Sequence, residues 1–115
     1  MSQSSLVRHG LLAALVWFFP VALFAAEAPP TFQLTAKDGR FTPETIEVPA
    51  GKKFKLVVRN EGPGPEEFES RELNREKVIA EGKQVEINLG PLKPGTYGFF
   101  GEFHPQTAKG KIVAK

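Results

Sequence analysis

After residue 30 every apolar periodicity in the chain has period two, and that constrains its fold more than any other feature. Phe32, Leu34 and Ala36 alternate with polar residues, as do Ile46 and Val48, then Phe54, Leu56 and Val58. The same spacing returns at Val85, Ile87 and Leu89 and closes the chain at Ile112 and Ala114. A period of two puts alternate side chains on opposite faces of a strand, so each run reads as a strand buried on one side. Phe68 anchors a further short strand at 67–70, and 96–103 reads as another. Between the runs lie turn sequences: Pro49-Ala50-Gly51, the NEGPGP stretch from Asn60 to Pro65, and Pro91 with Pro94-Gly95. Pro and Gly at that density forbid regular pairing and reverse the chain. The stretch RELNREKVIAEGK at 71–83 is ambiguous, because part of it has good helix propensity while its apolar residues do not recur at helical spacing. It is read as a loop leading into a short strand at 77–80. Seven or eight short strands with turns at close intervals and no helix predict an all-β protein, a Greek-key antiparallel β-sandwich.

The first 28 residues do not belong to that pattern. Arg8 and His9 precede an apolar run from Gly10 to Phe24, and small residues follow at Ala25, Ala26 and Ala28. This is the layout of a secretory signal peptide. A retained signal anchor is the rival reading, although Pro20 interrupts the run and the run is shorter than the roughly 20 residues that span a bilayer. The expected organisation is a signal peptide over 1–28 and one domain over 29–115, released into the periplasm with no membrane insertion after cleavage. A small exported domain commonly draws stability from disulfides or a metal. With no cysteine in the chain, disulfides are excluded. The net charge of +2 carries no long Lys/Arg block, so no nucleic-acid partner is implied.

Three segments taken together resemble the cupredoxins. FTPETIEVPAGKKFKLVVRN at 41–60 is similar to the strand–turn–strand opening of that family. GPEEFES at 64–70 occupies the place where cupredoxins carry a first copper-binding histidine. GPLKPGTYGFFGEFHPQTAKGKIV at 90–113 resembles their closing hairpin, where Cys, His and often Met share one loop. The resemblance places Gly101 at the cysteine, His104 at the second histidine, Ala108 near the methionine, and Glu66 or Glu67 at the first histidine. Only His104 retains a ligand of the expected kind. A blue-copper centre needs a thiolate, since the Cu–S bond sets its geometry and potential; the chain has none, which excludes type 1 copper.

EEFES, ELNREKVIAEGK and FFGEFHPQTAKG further resemble the cupredoxin-like domains of bacterial periplasmic iron-uptake systems, the EfeO-type proteins and the stand-alone companions of ferrous-iron permeases. That resemblance implies iron or copper handling beside a membrane iron permease, with a second periplasmic metal-binding protein as a further partner. EfeO-type domains use Cys together with a carboxylate; Phe41 and Gly101 occupy the Cys-bearing positions here, and the glutamate is kept.

The fold implied by the resemblance brings 64–70 and 101–108 to one end of the molecule, where Glu66, Glu67, Glu69, Glu102 and His104 become candidate metal ligands. Carboxylates with one imidazole suit Fe(II), Fe(III), Mn(II), Cu(II) or Zn(II), and not Cu(I). Alternation sets Glu66 on the side of Phe68 and Ser70, with Glu67 and Glu69 on the other, so the three glutamates reach one ion only if the strand bulges. The competing reading makes the glutamates a solvated strand face and His104 a loop cap. No arrangement of residues suggests catalysis: there is no Ser/His/Asp or Cys/His set, no phosphate loop and no HExxH. The expectation is a non-enzymatic, metal-binding accessory of an iron permease. A metal-free interaction module, docking through Phe100 and Phe103, and a periplasmic copper carrier are the alternatives.

Overall fold

The computed structural model describes residues 14–18 and 28–115. The expected signal segment, 1–28, lies outside the described residues except for 14–18 and 28. Among the described residues no helix is long and apolar enough to cross a membrane.

Among the described residues nine strands form two sheets. They are β1 (Thr31–Lys37), β2 (Arg40–Thr42), β3 (Thr45–Val48), β4 (Phe54–Asn60), β5 (Glu66–Ser70), β6 (Arg75–Ile79), β7 (Gln84–Leu89), β8 (Gly95–Phe100) and β9 (Lys109–Ala114). One sheet runs β2-β1-β4-β7 and the other β3-β9-β8-β5-β6. The all-β sandwich expected from the alternation is therefore what the chain forms. Its pairing is mixed: β1 runs parallel to β4 and β3 parallel to β9, while the other ladders are antiparallel. Parallel neighbours must be joined by a crossover, and here the chain crosses between the sheets to make it.

Register turns the alternation into a core. Phe32, Leu56 and Ile87 stand side by side across three strands, and Leu34, Val58 and Val85 form the next row. The facing sheet contributes Ile46, Ile112 and Tyr97 in one row. Phe41, Phe68 and Phe99 close the core at one end, with ring centroids 5.1–6.4 Å apart. Edge-to-face and tilted packing at such distances adds to the roughly 1.5–3 kcal/mol that full burial of each ring contributes.

Three elements differ from expectation, and the first is β8, which ends at Phe100 and leaves 101–103, read as strand, in a loop. β2 pairs Phe41 with Ala36 although only one of its three residues is apolar. The strand expected at 77–80 begins two residues earlier, at Arg75, because β6 is an edge strand in which only Ile79 is buried and the rest carry no alternation. Its exposed charges also suit an edge that must not pair with another chain.

Candidate metal centre

β5 is the element that places the acidic residues. Its inward positions are Glu66, Phe68 and Ser70; Glu67 and Glu69 point to the outer face of the sheet. The strand is fixed at both ends. Before it, Asn60 is buried and donates through Nδ2 to the carbonyls of Gly64 (2.8 Å) and Ile79 (2.9 Å), while its Oδ1 accepts from the Gly62 amide (2.8 Å). After it, the Ser70 hydroxyl donates to the Gly98 carbonyl at 2.7 Å.

The loop 101–108 folds over the Glu66 end of β5. The amides of Thr107 and Ala108 both donate to the His104 carbonyl, at 3.2 and 2.8 Å, and Gly101 N–H donates to the Ala108 carbonyl at 2.9 Å. The turn between β1 and β2 supports it from below, since the Thr107 hydroxyl donates to the Gly39 carbonyl at 2.6 Å. The His104 ring lies directly on Gly39, where a Cβ would come within 2.9 Å of ring atoms Cγ and Cδ2.

Two of the five candidate ligands meet in the resulting hollow. His104 Nδ1 stands 2.6 Å from Oε2 of Glu66. The carboxylate side chain is 4% exposed and the imidazole 44%, so the acid sits at the bottom and the ring at the mouth. The other Glu66 oxygen accepts from the amide of Glu67 at 3.0 Å. Gly101 forms the wall. A Cβ added there would lie 3.0 Å from Cδ of Glu66 and 3.0 Å from the Glu67 carbonyl oxygen, with Glu66 Oε1 nearer still. The carboxylate thus fills the volume that a side chain at 101 would need. Ala108 is fully buried and brings only a methyl group.

The remaining candidates lie on the opposite face of β5. Glu67 is 2% exposed, and its Oε1 is buried without a hydrogen-bond partner. Burial pushes its carboxyl up to about 7 from an ordinary 4.5. A hydrogen bond from the protonated Glu67 carboxyl to Glu102 and the charges of Glu102, Glu76 and Glu69 push the same way. Glu69 is half-buried and faces Glu76 of β6 directly across the ladder. Oxygens of Glu67, Glu69 and Glu76 lie within 4.8 Å of one another. The structure therefore divides the five candidates into Glu66 with His104 on one side, and Glu67 and Glu69 with Glu102 nearby on the other. Glu76 is the member that sequence reasoning missed. Extending β6 back to Arg75 and pairing it with EEFES would have set Glu76 opposite Glu69.

The comparisons with known proteins agree on the fold. Among solved structures, auracyanin A, a blue copper protein of Chloroflexus aurantiacus, superposes with a TM-score of 0.66 over 76% of this chain and 100% of its own, at 14% identity. The metal-binding domain of the Cu(I)-exporting P-type ATPase CopA from Streptococcus pneumoniae D39, solved with Cu(I), gives 0.62 over 74% of this chain and 84% of its own, at 16% identity. In sequence, the uncharacterized protein RP394 of Rickettsia prowazekii (strain Madrid E) is 44% identical over 81 residues, 70% of this chain and 65% of that protein. The chain thus aligns with slightly under two thirds of that relative's length.

A type 1 copper ion does not fit these residues. No thiolate exists in the chain, and the position that would bear it has neither a side chain nor room for one while Glu66 is in place. The pattern that describes cupredoxin-like domains nonetheless matches residues 10–114, nearly the whole sequence, so the chain belongs to the cupredoxin-like family.

Proposed function

We propose that this protein is an exported, non-enzymatic metal-handling accessory that takes up an iron or copper ion through Glu66 and His104 and passes it to a membrane permease. The observation that carries the reading is the 2.6 Å approach of His104 Nδ1 to Glu66 Oε2 at the end of the sandwich. A proton joins the two atoms in the resting protein, and a cation that takes both donors must displace it. One carboxylate and one imidazole are hard-to-borderline donors, which favours Fe(II), Fe(III) or Cu(II) over Cu(I). Two protein donors leave most coordination positions to water or to a receiving partner, and that favours release over storage. The resemblance of EEFES and GEFHP to iron-uptake cupredoxins, together with the signal-like start, supports the periplasm as the site of action and an iron permease, with a second periplasmic metal-binding protein, as partners.

Calorimetric titration of the purified protein with Fe(II), Fe(III), Cu(II) and Zn(II) tests this. The expected outcome is binding tighter than about millimolar for at least one ion, weakened about tenfold or more in His104→Ala. No binding in that range, or binding unchanged in the variant, sinks it.

A second reading, a cupredoxin fold that has kept its shape as a protein-interaction module, is favoured by the same hollow being filled already by Glu66. Phe103 is 48% exposed beside it, and Arg71 lies over the Phe100 ring at 5.2 Å. A ligand that binds only the folded state must raise stability. Melting temperatures that rise with metal support the accessory, and temperatures unchanged by every ion support the module.

A further inference from the structure

The outer face of the β5–β6 hairpin carries a second cluster, separate from the Glu66–His104 hollow. Glu69 and Glu76 are paired residues of an antiparallel ladder, and Glu67 is two positions along β5 on the same face. Like charges directly opposite one another in a ladder are destabilising. None of the ion pairs among the described residues supplies a cation to any of the three. The two arginines nearby are engaged elsewhere: Arg71 lies over the Phe100 ring, and Arg75 donates to the carbonyl of Asn74 at 3.2 Å.

The separate observation that points to a ligand is Glu67 itself. The residue is 2% exposed, and although its carboxyl bonds to Glu102, its Oε1 is buried without a hydrogen-bond partner. Burying such an oxygen unpaired costs roughly 1–3 kcal/mol, and more when it is charged. Glu67 also contributes a carboxylate oxygen to a set, with Glu69 and Glu76, whose members lie within 4.8 Å of one another. Oxygens bound to one calcium-sized ion at about 2.3–2.6 Å lie no more than about 5 Å apart, so the separations of the three oxygens are within the span of one shared ion. Beside them is an open hollow of about 270 Å³, lined by Glu69, Ser70, Arg71, Asn74, Arg75 and Glu76, with space for the water that completes a coordination shell.

The geometry points to a second cation site on this face, in which Glu67, Glu69 and Glu76 bind one hard, oxygen-preferring divalent ion of the Ca2+ or Mn2+ type. An all-carboxylate set excludes soft ions and disfavours those that seek nitrogen or sulfur. The ion would neutralise the facing Glu69–Glu76 pair and give the buried Glu67 oxygen its partner. It would also clamp β6, an edge strand with one buried side chain, onto β5. This site does not depend on the cargo reading of Glu66 and His104, and it shares no residue with that pair.

The test uses the purified full chain freed of metal with chelator, and Mn2+ or Ca2+ alone as the probe. Mn2+ binding is followed by loss of its free electron-spin-resonance signal, and Ca2+ by calorimetry. The location is read from paramagnetic broadening of backbone amides in a nitrogen-15 correlation spectrum. The expected result is one ion bound below about 1 mM, with broadening centred on 66–70 and 75–79. Glu69→Gln/Glu76→Gln should weaken it about tenfold or more, and His104→Ala should leave it unchanged. Both substituted glutamates lie on the outer face, and an unchanged far-ultraviolet spectrum verifies that the variant folds. Absence of binding by either ion, binding undiminished in the double variant, or broadening centred on 101–104 would each overturn the site.

Discussion

The carboxylate of Glu66 occupies the space that a side chain on Gly101 would need: a Cβ there would stand 3.0 Å from Glu66 Cδ. The two positions are complementary, the side chain of one filling the volume that the other leaves open. Gly101→Ala should therefore cost about 1–3 kcal/mol, the range for overfilling a packed site. Much of that cost should vanish in a Glu66→Ala background, and the remainder reflects the Glu67 carbonyl, also 3.0 Å away. Urea unfolding of the four proteins of this cycle gives the coupling, expected to be of order 1 kcal/mol or more. Additive effects would mean that the hollow relaxes around either residue alone.

Glu66 is 4% exposed and rests on two donors, the His104 ring and the Glu67 amide. His104→Ala removes one of them and leaves a buried carboxylate half-satisfied, which should cost roughly 2–3 kcal/mol. Replacing the acid as well, in Glu66→Leu/His104→Ala, removes the group that needed the partner. Buried ion pairs exchanged for apolar residues are often neutral or better, so the double variant should unfold at higher denaturant concentration than His104→Ala alone. A double variant less stable than the single one would show that the carboxylate is satisfied by Glu67 N–H without the imidazole.

The alternation that makes Leu34, Leu56, Val58, Ile87 and Ile112 a core was legible from spacing alone, because period two fixes which face each residue takes. The same rule separated Glu66 from Glu67 and Glu69. It could not show that β1 pairs with β4 in parallel, since spacing describes a strand and not its distant neighbour. β2 and the start of β6 were hidden for a different reason: Arg40-Phe41-Thr42 is too short to alternate, and Arg75-Glu76-Lys77 is charged on both faces. Glu76 escaped notice with them. The burial of Glu67 on an outward face, and the fit between Glu66 and Gly101, depend on how a loop and a strand meet in space, which no local pattern encodes.

Asn60 holds the turn that delivers the chain to Glu66. With both Nδ2 protons and Oδ1 bonded, and the residue 2% exposed, its amide is fully used. Asn60→Ala leaves the Gly62 amide and the Gly64 and Ile79 carbonyls to find other partners, and should cost about 2–4 kcal/mol. Asn60→Asp is nearly isosteric and should be no better tolerated, because it sets a carboxylate against two carbonyl oxygens. Guanidinium unfolding of the two variants checks this. An aspartate variant as stable as the parent would contradict the bonding pattern.

Glu67 makes stability depend on pH in a direction that can be worked out. Its carboxyl titrates at about 7 in the folded chain against an ordinary 4.5, chiefly through burial and then through Glu102, Glu76 and Glu69, the acids that face it from the 101–108 loop, β6 and β5. Between those values the folded state holds the proton more tightly than the unfolded state, so unfolding releases it. Stability from this group is full below pH 4.5 and is lost as pH rises through about 7. The loss is bounded at about 3 kcal/mol and is smaller where neighbouring carboxyls share the proton. Chelator-treated protein should therefore unfold at lower urea concentration at pH 8 than at pH 5.5. Glu67→Gln, which cannot ionise, should flatten that difference. Glu102→Gln should move it to lower pH, since it takes away a charge and offers an amide donor in place of an acid. A wild-type profile that rises from pH 5.5 to 8, with Glu67→Gln following it in parallel, would show that Glu67 is ionised in the fold at every pH in that range.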